Sequence, residues 1–406
     1  MLRKIVQFLS VVGPGVFAIG YTIGTGSVTS MAKSGADYGL GLLWVLALSC
    51  VFCGVLMEAY GRLAAVTGKT SLSAMRDHLP FGKIIAWLVF AGVVMAQYTC
   101  LGGILTLSSG AIAEILGGKV PTFLIACVIS AVMYAVLMIG RYSVFEKVLA
   151  FFVGVMTLTF LVSVFVTMPD AATLARAAKP MLPTDGRSLM MLAAFVGTTV
   201  SAPTFVTRPL IVREKRLTAA DLARLRVDSW FSAFMMFIIS GSIVFVATGT
   251  LWAHGREIDR IIDMAGTLEP LAGKSAVVIF MFGVLAAGLS SIFPILMVAP
   301  ILLSDYQNGR METRTPVFRW ICLGACAWGL VVPALGGNPV TVTIAAQISN
   351  VFALPLTILA ILMLLNDRSL MGAHRAGVLA NVGLALALVF SLAIAHSGVR
   401  ALAEAL

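Results

Sequence analysis

The stretch GYTIGTGSVTS, at residues 20–30, places glycines and hydroxyl side chains in the middle of an apolar run. Gly24 and Gly26 let a helix open and let a ligand approach the backbone closely, and Thr25 and Ser27 add hydroxyl donors. An opened helix exposes free N–H groups at the start of its second half, where the helix dipole attracts anions. The stretch therefore predicts a binding site made of backbone amides and hydroxyls.

A second apolar run is interrupted in a similar way. FVGTTVSAPTFVTRPL, at residues 195–210, contains Pro203 and Pro209, which disturb a regular helix. Ser201 and Thr204 supply hydroxyls on either side of the first proline. The alternative interpretation is a pair of kinked helices without a ligand, because Gly and Pro are common in membrane spans.

Arg208 lies within this second run, and a guanidinium inside a membrane span is costly unless it faces a partner, a cavity or the interface. The run contains no acid, so a substrate carboxylate held by a bidentate contact is one candidate partner. The alternative is an anchor at the cytoplasmic end of the span. Gln97, Gln347 and Asn350, from other apolar runs, are predicted to complete a neutral hydrogen-bonding pocket, although such residues also join helices to one another.

The composition indicates that these runs belong to a membrane protein. Of 406 residues, 60% are hydrophobic and 11% are charged, and the mean hydropathy is +1.01. A soluble domain needs far more polar surface than this. The net charge is +10, but the basic residues are dispersed among loops, so they do not indicate a surface that binds nucleic acid. No hydrolase or nucleotide motif is present, so we expect neither an enzyme nor a bound cofactor.

Apolar runs near the roughly 20 residues needed to cross a bilayer predict eleven transmembrane helices. They lie at about residues 5–35, 41–66, 84–115, 121–140, 146–168, 188–212, 228–253, 274–304, 317–335, 340–365 and 376–396. With a cytoplasmic N-terminus, the 28 Lys and Arg residues divide into 18 in inner segments, nine in outer segments and Arg208 within a span. The positive-inside rule then predicts a multi-pass protein of the cell membrane, with its N-terminus in the cytoplasm and its C-terminus outside.

The interrupted runs are the first and the sixth, which hold corresponding positions in two halves of five helices. Such a pair indicates inverted repeats with a substrate site near the bilayer midplane. The predicted organisation is all-α. Residues 1–170 form the first repeat, residues 188–365 form the second, and residues 376–396 form an additional eleventh span.

Several segments resemble the Nramp family of proton-coupled divalent-metal transporters, which share the LeuT-type fold. They are GPGVFAIGY, SGADYGLGLLWVLALS, AAVTGKTS, FGVLAAGLSS and IAAQISNVFALPLTILAILMLLNDRSLMG, and the likeness covers nearly the whole chain. The resemblance implies a LeuT-type fold with eleven transmembrane helices, in which helices one and six are interrupted.

The residues that would hold a metal depart from the family pattern. The family carries Asp-Pro-Gly-Asn at the break in helix one, where this chain has Ile23, Gly24, Thr25 and Gly26. In helix six the family's Ala-Thr-Val-Met-Pro-His corresponds to residues 198–203, beginning with Thr198. Ser201 therefore replaces the soft thioether that selects transition metals.

Further departures affect the proton path of the family. Arg208 falls where the family has a second histidine in helix six, which assists proton movement. Gln97 and Cys100 stand where helix three of the family has an Asp and a Glu. Gln347 does match a glutamine of helix ten near the metal. The family's metal chemistry is therefore not expected to carry over.

Two likenesses to other carriers with this fold suggest a different substrate. The Gly-x-Gly at the helix-one break is similar to the carboxylate-binding segment of amino-acid transporters. Ser290 and Ser291 resemble a hydroxyl pair that binds Na⁺ with helix-one carbonyls, although metal carriers of the Nramp family also tend to have serines here. Na⁺ or H⁺ is therefore the candidate coupling ion.

The residue types lead to the same expectation without the family. Mn²⁺ or Fe²⁺ in a dry site needs carboxylate, imidazole or sulfur ligands. The four histidines lie in loops or at a span end, and Glu58 is the one acid expected well inside a span. We interpret Glu58 as a helix-surface partner of Arg62, four residues later. No metal site is predicted.

We expect a secondary transporter that moves a small anionic or zwitterionic organic solute by alternating access. The predicted binding residues are Ile23, Gly24, Thr25, Gly26, Ser27, Gln97, Thr198, Ser201, Thr204, Arg208, Gln347 and Asn350. The alternative substrate is a hydrated divalent cation such as Mg²⁺, with weaker chemical support for Mn²⁺ or Fe²⁺. The remaining alternative is a membrane sensor or scaffold without transport.

Overall fold

A computed structural model describes residues 13–139, 142–166, 171–255, 261–336 and 339–405, and no β-strand occurs among them. The first helices are α1 (Gly13–Thr22), α2 (Thr25–Tyr38), α3 (Leu43–Thr67), α4 (Ser71–His78), α5 (Gly82–Ile115), α6 (Thr122–Met138), α7 (Tyr142–Val166) and α8 (Ala171–Ala177). They are followed by α9 (Gly186–Thr199), α10 (Ala202–Glu214), α11 (Leu222–Thr250), α12 (Ile261–Asn308), α13 (Pro316–Gly329), α14 (Val331–Leu335), α15 (Pro339–Asn366), α16 (Arg368–Met371) and α17 (Val378–Ala405). Short 3₁₀ turns lie at Ala219–Asp221, Trp252–His254 and Gly372–His374.

The helices account for the eleven predicted spans. Nine segments of the described part are long and apolar enough to cross a bilayer, one of them formed by α9 and α10 together. The other two spans are the divided pair α1–α2 and the 17-residue helix α6. The prediction of an all-α membrane protein with interrupted first and sixth spans is confirmed. The first residues of the first predicted span, 5–12, lie outside the described residues.

Local sequence explains where several helices begin. Asp185 precedes α9, and its side chain accepts a hydrogen bond from the first turn of that helix. Thr315 caps α13 in the same manner, and Pro316 occupies the first turn, where a missing N–H costs nothing. By contrast, α2 and α10 begin after Gly24 and Ser201 without a side-chain cap. Helix α2 therefore starts with uncapped amides, whereas in α10 Pro203 has no N–H and the N–H of Thr204 donates to the carbonyl of Ser201.

The divided sixth span lies at the centre of the molecule. In the apolar 18-residue segment of residues 186–214, 94% is buried inside the protein, against 22% in the corresponding segment of residues 378–400 in α17. Helix α9 packs on α15 and α17, α10 packs on α3, and α1 packs on α7 and α11. A broken backbone is tolerated at membrane depth only where protein or water surrounds it, and this enclosure meets that condition.

Candidate functional site: a cavity between two helix breaks

The break in the first span consists of Ile23 and Gly24, which separate α1 from α2. The carbonyl of Gly20, released from the helical pattern, accepts a 2.9 Å hydrogen bond from Ser291 Oγ of α12. A Cβ at Gly24 would lie 2.3 Å from this Ser291 Oγ. Glycine is therefore required here because α12 approaches the opened backbone closely.

The break in the sixth span consists of Val200 and Ser201, between α9 and α10. The carbonyl of Thr199 accepts a hydrogen bond from Cys53 Sγ of α3 at 3.1 Å. In each break, a side chain from another helix thus satisfies a released carbonyl. Helices α2 and α10 begin on the other side of each break without a side-chain cap.

The two breaks border one cavity, which we call the central cavity. Its volume is about 20 Å³. That is room for roughly one water molecule. The lining residues are Tyr21, Thr22, Gly24, Gly26, Ser27, Gln97, Cys100, Ile104, Thr198, Ser201, Ser291, Ile295, Gln347 and Asn350. In this structure the cavity therefore accommodates only a water-sized species.

Three amide side chains form a continuous network in the cavity wall. Gln97 Nε2 donates to Asn350 Oδ1 at 2.7 Å, and Asn350 Nδ2 donates to Gln347 Oε1 at 3.0 Å. These contacts join α5 to α15 across more than half of the sequence. Every lining residue in the described part of the chain is uncharged. The wall therefore offers hydrogen bonds but no formal charge.

Three hydroxyls of the cavity wall have no hydrogen-bond partner among the described residues. They belong to Tyr21, Ser27 and Thr198, and all three atoms are buried. Buried polar groups are nearly always satisfied, because leaving one without a partner costs free energy. These three hydroxyls therefore mark where a bound polar molecule would find donors and acceptors.

The structure brings most of the predicted site residues together. Those that line the central cavity are Gly24, Gly26, Ser27, Gln97, Thr198, Ser201, Gln347 and Asn350, together with Ser291 of the predicted coupling-ion pair. Their role in binding stays a prediction. Their shared location indicates that the two interrupted runs and the amides of other spans converge on one point.

Four other predicted residues lie outside the lining of the central cavity. Ile23 is buried within the break, and Thr25 Oγ1 donates to the carbonyl of Ile104 at 3.4 Å. Thr204 Oγ1 lies 3.2 Å from Thr22 Oγ1 and so joins α10 to α1. Ser290 Oγ donates to a carbonyl of its own helix at 2.9 Å. Each side chain is directed to protein, because helices cross tightly at these positions.

Arg208 requires a correction. Its side chain is 1% exposed and lies outside the cavity lining, and its Nη2 contacts Asp228 Oδ2 at 2.8 Å and Ser229 Oγ at 2.9 Å. The search for a partner within its own span missed Asp228, which comes from the next span, α11. The expectation of a substrate carboxylate at Arg208 therefore loses its premise, and the guanidinium is no interfacial anchor either.

Glu58 is not the only acid that helix packing affects. Asp228 and Asp305 are both buried, Asp228 near the start of α11 and Asp305 near the end of α12. Glu58 itself contacts Arg62 at 3.4 Å, as predicted, and additionally Arg226 at 2.9 Å. Burial near the end of a span cannot be read from hydropathy alone.

Sequence reasoning missed other lining residues. Tyr21 and Thr22 immediately precede the break and belong to the quoted stretch, so their position was available as a signal. Cys100 lies one helical turn from Gln97 on α5. Ile104 continues that face, whereas Ile295 of α12 carries no sequence signal for a site.

No group of three or more His, Cys, Asp or Glu residues positioned to hold a metal ion occurs in the described ranges. Cys100 is the softest donor in the cavity wall, and its Sγ already donates to the carbonyl of Ala346 at 3.4 Å. The remaining donors are amides and hydroxyls. Such a wall suits a hydrogen-bonding solute or an ion that keeps its own water.

The chain is similar to known transporters in both sequence and structure. Its divalent metal cation transporter relatives, named MntH, from Verminephrobacter eiseniae and Acidiphilium cryptum are each 27% identical to it, over 91% and 89% of this chain and 84% and 83% of theirs. The crystal structure of a mutant of the Eremococcus coleocola manganese transporter has a TM-score of 0.77 at 15% identity, covering 95% of this chain and 85% of that one. Mhp1, a nucleobase-cation-symport-1 family transporter solved with bromovinylhydantoin bound, has a TM-score of 0.65 at 14% identity, covering 96% and 90%.

The helix breaks and these structural neighbours define the fold, an all-helical membrane protein of the LeuT type. A family model described as "Natural resistance-associated macrophage protein-like" matches residues 15–399. The chain therefore belongs to the Nramp family. Members of this family are transporters, so the predictions of a transporter and of no enzyme are confirmed.

Proposed function

We propose that the chain is a secondary transporter whose substrate binds in the central cavity, and that this substrate is a small polar solute without net charge. A zwitterion or a neutral amide fits this description. The observation that carries the proposal is the set of unpartnered hydroxyls of Tyr21, Ser27 and Thr198 in a wall without formal charge. Such groups recognise a substrate through hydrogen bonds.

The helix ends at the cavity support a zwitterion in particular. Helices α1 and α9 end at the breaks with their C-terminal carbonyls, and α2 and α10 begin there without a side-chain cap. The partial negative charge of a helix C-terminus suits an ammonium group, and the partial positive charge of an N-terminus suits a carboxylate. An anion without a compensating group has less support, because Asp228 already neutralises Arg208.

The second candidate substrate is a divalent cation that keeps part of its water shell. The relatives named as divalent metal cation transporters and the manganese transporter structure favour this candidate over the organic solute. The amide oxygens of Gln97, Gln347 and Asn350 are suitable hard donors. The uncharged lining disfavours it, because a divalent charge would enter a dry site without a carboxylate.

Transport by alternating access and its coupling are part of the proposal. Ser291 lies in the cavity wall and contacts a helix-one carbonyl, so it remains the candidate contact for Na⁺, with H⁺ as the alternative. Ser290 bonds within its own helix and has less support. We place the N-terminus in the cytoplasm and the C-terminus outside, on the distribution of Lys and Arg.

The proposal is tested by a thermal-stability screen of the purified protein. Chlorides of Mg²⁺, Mn²⁺ and Fe²⁺ are compared with amino acids, small amides and small carboxylates, because a ligand that binds the folded state raises the unfolding temperature. Any stabilising compound is then tested for uptake into proteoliposomes, with and without gradients of Na⁺ and H⁺. Stabilisation and uptake of an uncharged or zwitterionic solute support the proposal. Stabilisation and uptake confined to divalent ions reject it in favour of the second candidate.

A further inference from the structure

Asp228 joins the sixth span to the start of the first. One carboxylate oxygen, Oδ2, pairs with Arg208 Nη2 of α10 at 2.8 Å. The other, Oδ1, accepts a 3.1 Å hydrogen bond from the backbone N–H of Gly15, in the first turn of α1. Both charged side chains are 1% exposed. A single buried carboxylate therefore contacts two helices that also border the breaks.

The contact with Gly15 has a clear physical basis. The first N–H groups of a helix have no partner within that helix, and the helix dipole favours a negative charge beside them. Asp228 satisfies one of these groups from α11. A buried carboxylate would be costly alone, and Arg208 supplies the compensating charge. The ion pair thus allows an acid to hold the N-terminus of α1 inside the protein.

The fit between α1 and α11 is tight at this point. A Cβ at Gly15 would lie 1.9 Å from Ser232 Oγ and 2.8 Å from Asp228 Oδ1. Any side chain here must push α1 away from α11 or displace both groups. Glycine is needed because the backbone itself approaches the carboxylate.

Helix α1 also forms part of the cavity wall, through Tyr21 and Thr22 at its other end. The break at Ile23 and Gly24 interrupts the helix there and provides a place where α1 can pivot. A solute larger than water reaches the cavity only if part of the wall moves. Displacement of α1 is one such movement, and the Gly15 contact opposes it.

We infer that Asp228, neutralised by Arg208, is a positioning residue that holds α1 closed against the central cavity. Loss of this contact is expected to shift the protein towards a state in which the cavity is open on the side of α1. The inference rests on the proposed function only in taking the central cavity as the transport site. Its test needs no substrate, so it can fail separately from the choice of substrate.

Cys100 provides a direct probe of this opening. It lines the cavity and is 2% exposed, and N-ethylmaleimide is far too large for about 20 Å³ of free space. The full-length protein is prepared with Cys100 as the single cysteine, and the rate of its modification is measured in detergent. A second background carries Cys322 alone, which is fully buried on α13 and outside the cavity lining. Modification of Cys322 reports general unfolding.

Four variants are compared in both backgrounds. Asp228→Asn removes the negative charge, and Gly15→Ala keeps both charged residues but places a Cβ 2.8 Å from Asp228 Oδ1, which crowds the contact between α1 and α11. Arg208→Lys is the conservative variant, because one guanidinium nitrogen makes the contact with Asp228 and an ammonium can replace it. Gly241→Ala, on α11, is the matched control, since a Cβ there meets nothing within 4 Å.

We expect Cys100 to react at least about tenfold faster in Asp228→Asn and Gly15→Ala, which corresponds to about 1.4 kcal/mol in the opening equilibrium. The modification of Cys322 should stay slow in these variants. In Arg208→Lys and Gly241→Ala, both cysteines should react at the wild-type rate. Gly15→Ala decides the outcome if Asp228→Asn does not fold. Unchanged Cys100 reactivity in Gly15→Ala, or equal acceleration of Cys322, would overturn the inference and leave Asp228 a purely structural residue.

Discussion

The central cavity uses a different kind of side chain from three buried charged residues, Arg208, Asp228 and Asp305, which we call together the charged layer. Among the residues that the structure describes, the cavity wall contains no charge and leaves several hydroxyls without partners. In the charged layer, protein groups contact each carboxylate: Asp228 meets Arg208 and Gly15, and Asp305 accepts from the backbone of residues 72–73 and from a threonine.

This difference separates two roles of buried polar groups. The carboxylates of the charged layer hold helix N-termini, those of α1 and α4, and their hydrogen bonds are directed to protein. The hydroxyls of the cavity are directed to a space that the protein does not fill. The buried carboxylates therefore position helices here, whereas the unpartnered hydroxyls of Tyr21, Ser27 and Thr198 indicate the binding site because they also line the cavity.

The largest expected effect comes from breaking the ion pair in the charged layer. Arg208→Met removes the partner of Asp228 and leaves an uncompensated buried carboxylate, which costs about 3–5 kcal/mol. The unfolding temperature in detergent should fall strongly. The double variant Arg208→Met with Asp228→Asn should recover most of the loss. Equal stability of the single and double variants would show that the charge of Asp228 does not depend on Arg208.

The next effect concerns the space in the cavity. A Cβ at Gly26 would lie 2.1 Å from Gln347 Nε2, so Gly26→Val must displace the amide network. We expect uptake in proteoliposomes to fall at least about a hundredfold, with folding retained. Gly110→Val is the matched control, because a Cβ at Gly110 of α5 meets nothing within 4 Å. Normal uptake by Gly26→Val would place the transport site elsewhere.

A smaller effect is expected from one cavity hydroxyl. Thr198→Val keeps the shape of the side chain but removes its unpartnered hydroxyl. Substrate affinity should fall by about 0.5–1.5 kcal/mol, the usual contribution of one hydrogen bond. Thr157→Val on α7 is the control, since that hydroxyl donates to a carbonyl of its own helix at 2.7 Å. Equal affinities in the wild type and Thr198→Val would remove this hydroxyl from the site.

The smallest effect concerns a charge outside the membrane. A hydrogen bond from Arg76 and the charge of Arg76 and Lys69 hold the pKa of Asp77 below its ordinary value. A lowered folded-state pKa stabilises the protein above the ordinary pKa of about 3.9, and this stabilisation is lost as pH falls through the folded-state pKa. The side chain is 37% exposed, so the contribution at neutral pH is discounted for solvent screening to about a few tenths of a kcal/mol.

Asp77→Asn should therefore unfold at a slightly lower temperature than the wild type between about pH 5 and 8, with the difference disappearing in more acidic buffer. Unfolding temperatures measured across this range test the sign. A difference that grows on acidification would contradict it. A difference as large as that of Arg208→Met would remove the contrast between exposed and buried ion pairs.

The sequence predicted the helix breaks well because their cause is local. Glycines at 24 and 26 and proline at 203 disturb a helix wherever they occur in an apolar run, and both breaks lie within the quoted stretches. The same stretches contain half of the residues that line the cavity. The inverted repeat at residues 1–170 and 188–365 stays a prediction, since matching breaks alone do not test it.

The partners of polar residues could not be predicted in the same way. Gln97 and Asn350 are 253 positions apart, and Asp228 meets Gly15 across 213 positions. Hydropathy placed Asp228 at the edge of a span, although packing against α1 and α10 buries it there. Which polar groups satisfy one another depends on helix packing. Unpartnered hydroxyls also occur outside the cavity, at Ser30, Ser34 and Ser49 for example, so a missing partner does not identify the cavity by itself.

The most direct test of the uncharged binding site is calorimetric titration of the purified protein with Mn²⁺ and Mg²⁺, beside the solute found in the stability screen. We predict no metal binding tighter than about 1 mM, which corresponds to about 4 kcal/mol. The solute should bind to the wild type and not to Gly26→Val. Micromolar binding of Mn²⁺ or Mg²⁺ that Gly26→Val abolishes would contradict the account, because it would place a divalent cation in the central cavity.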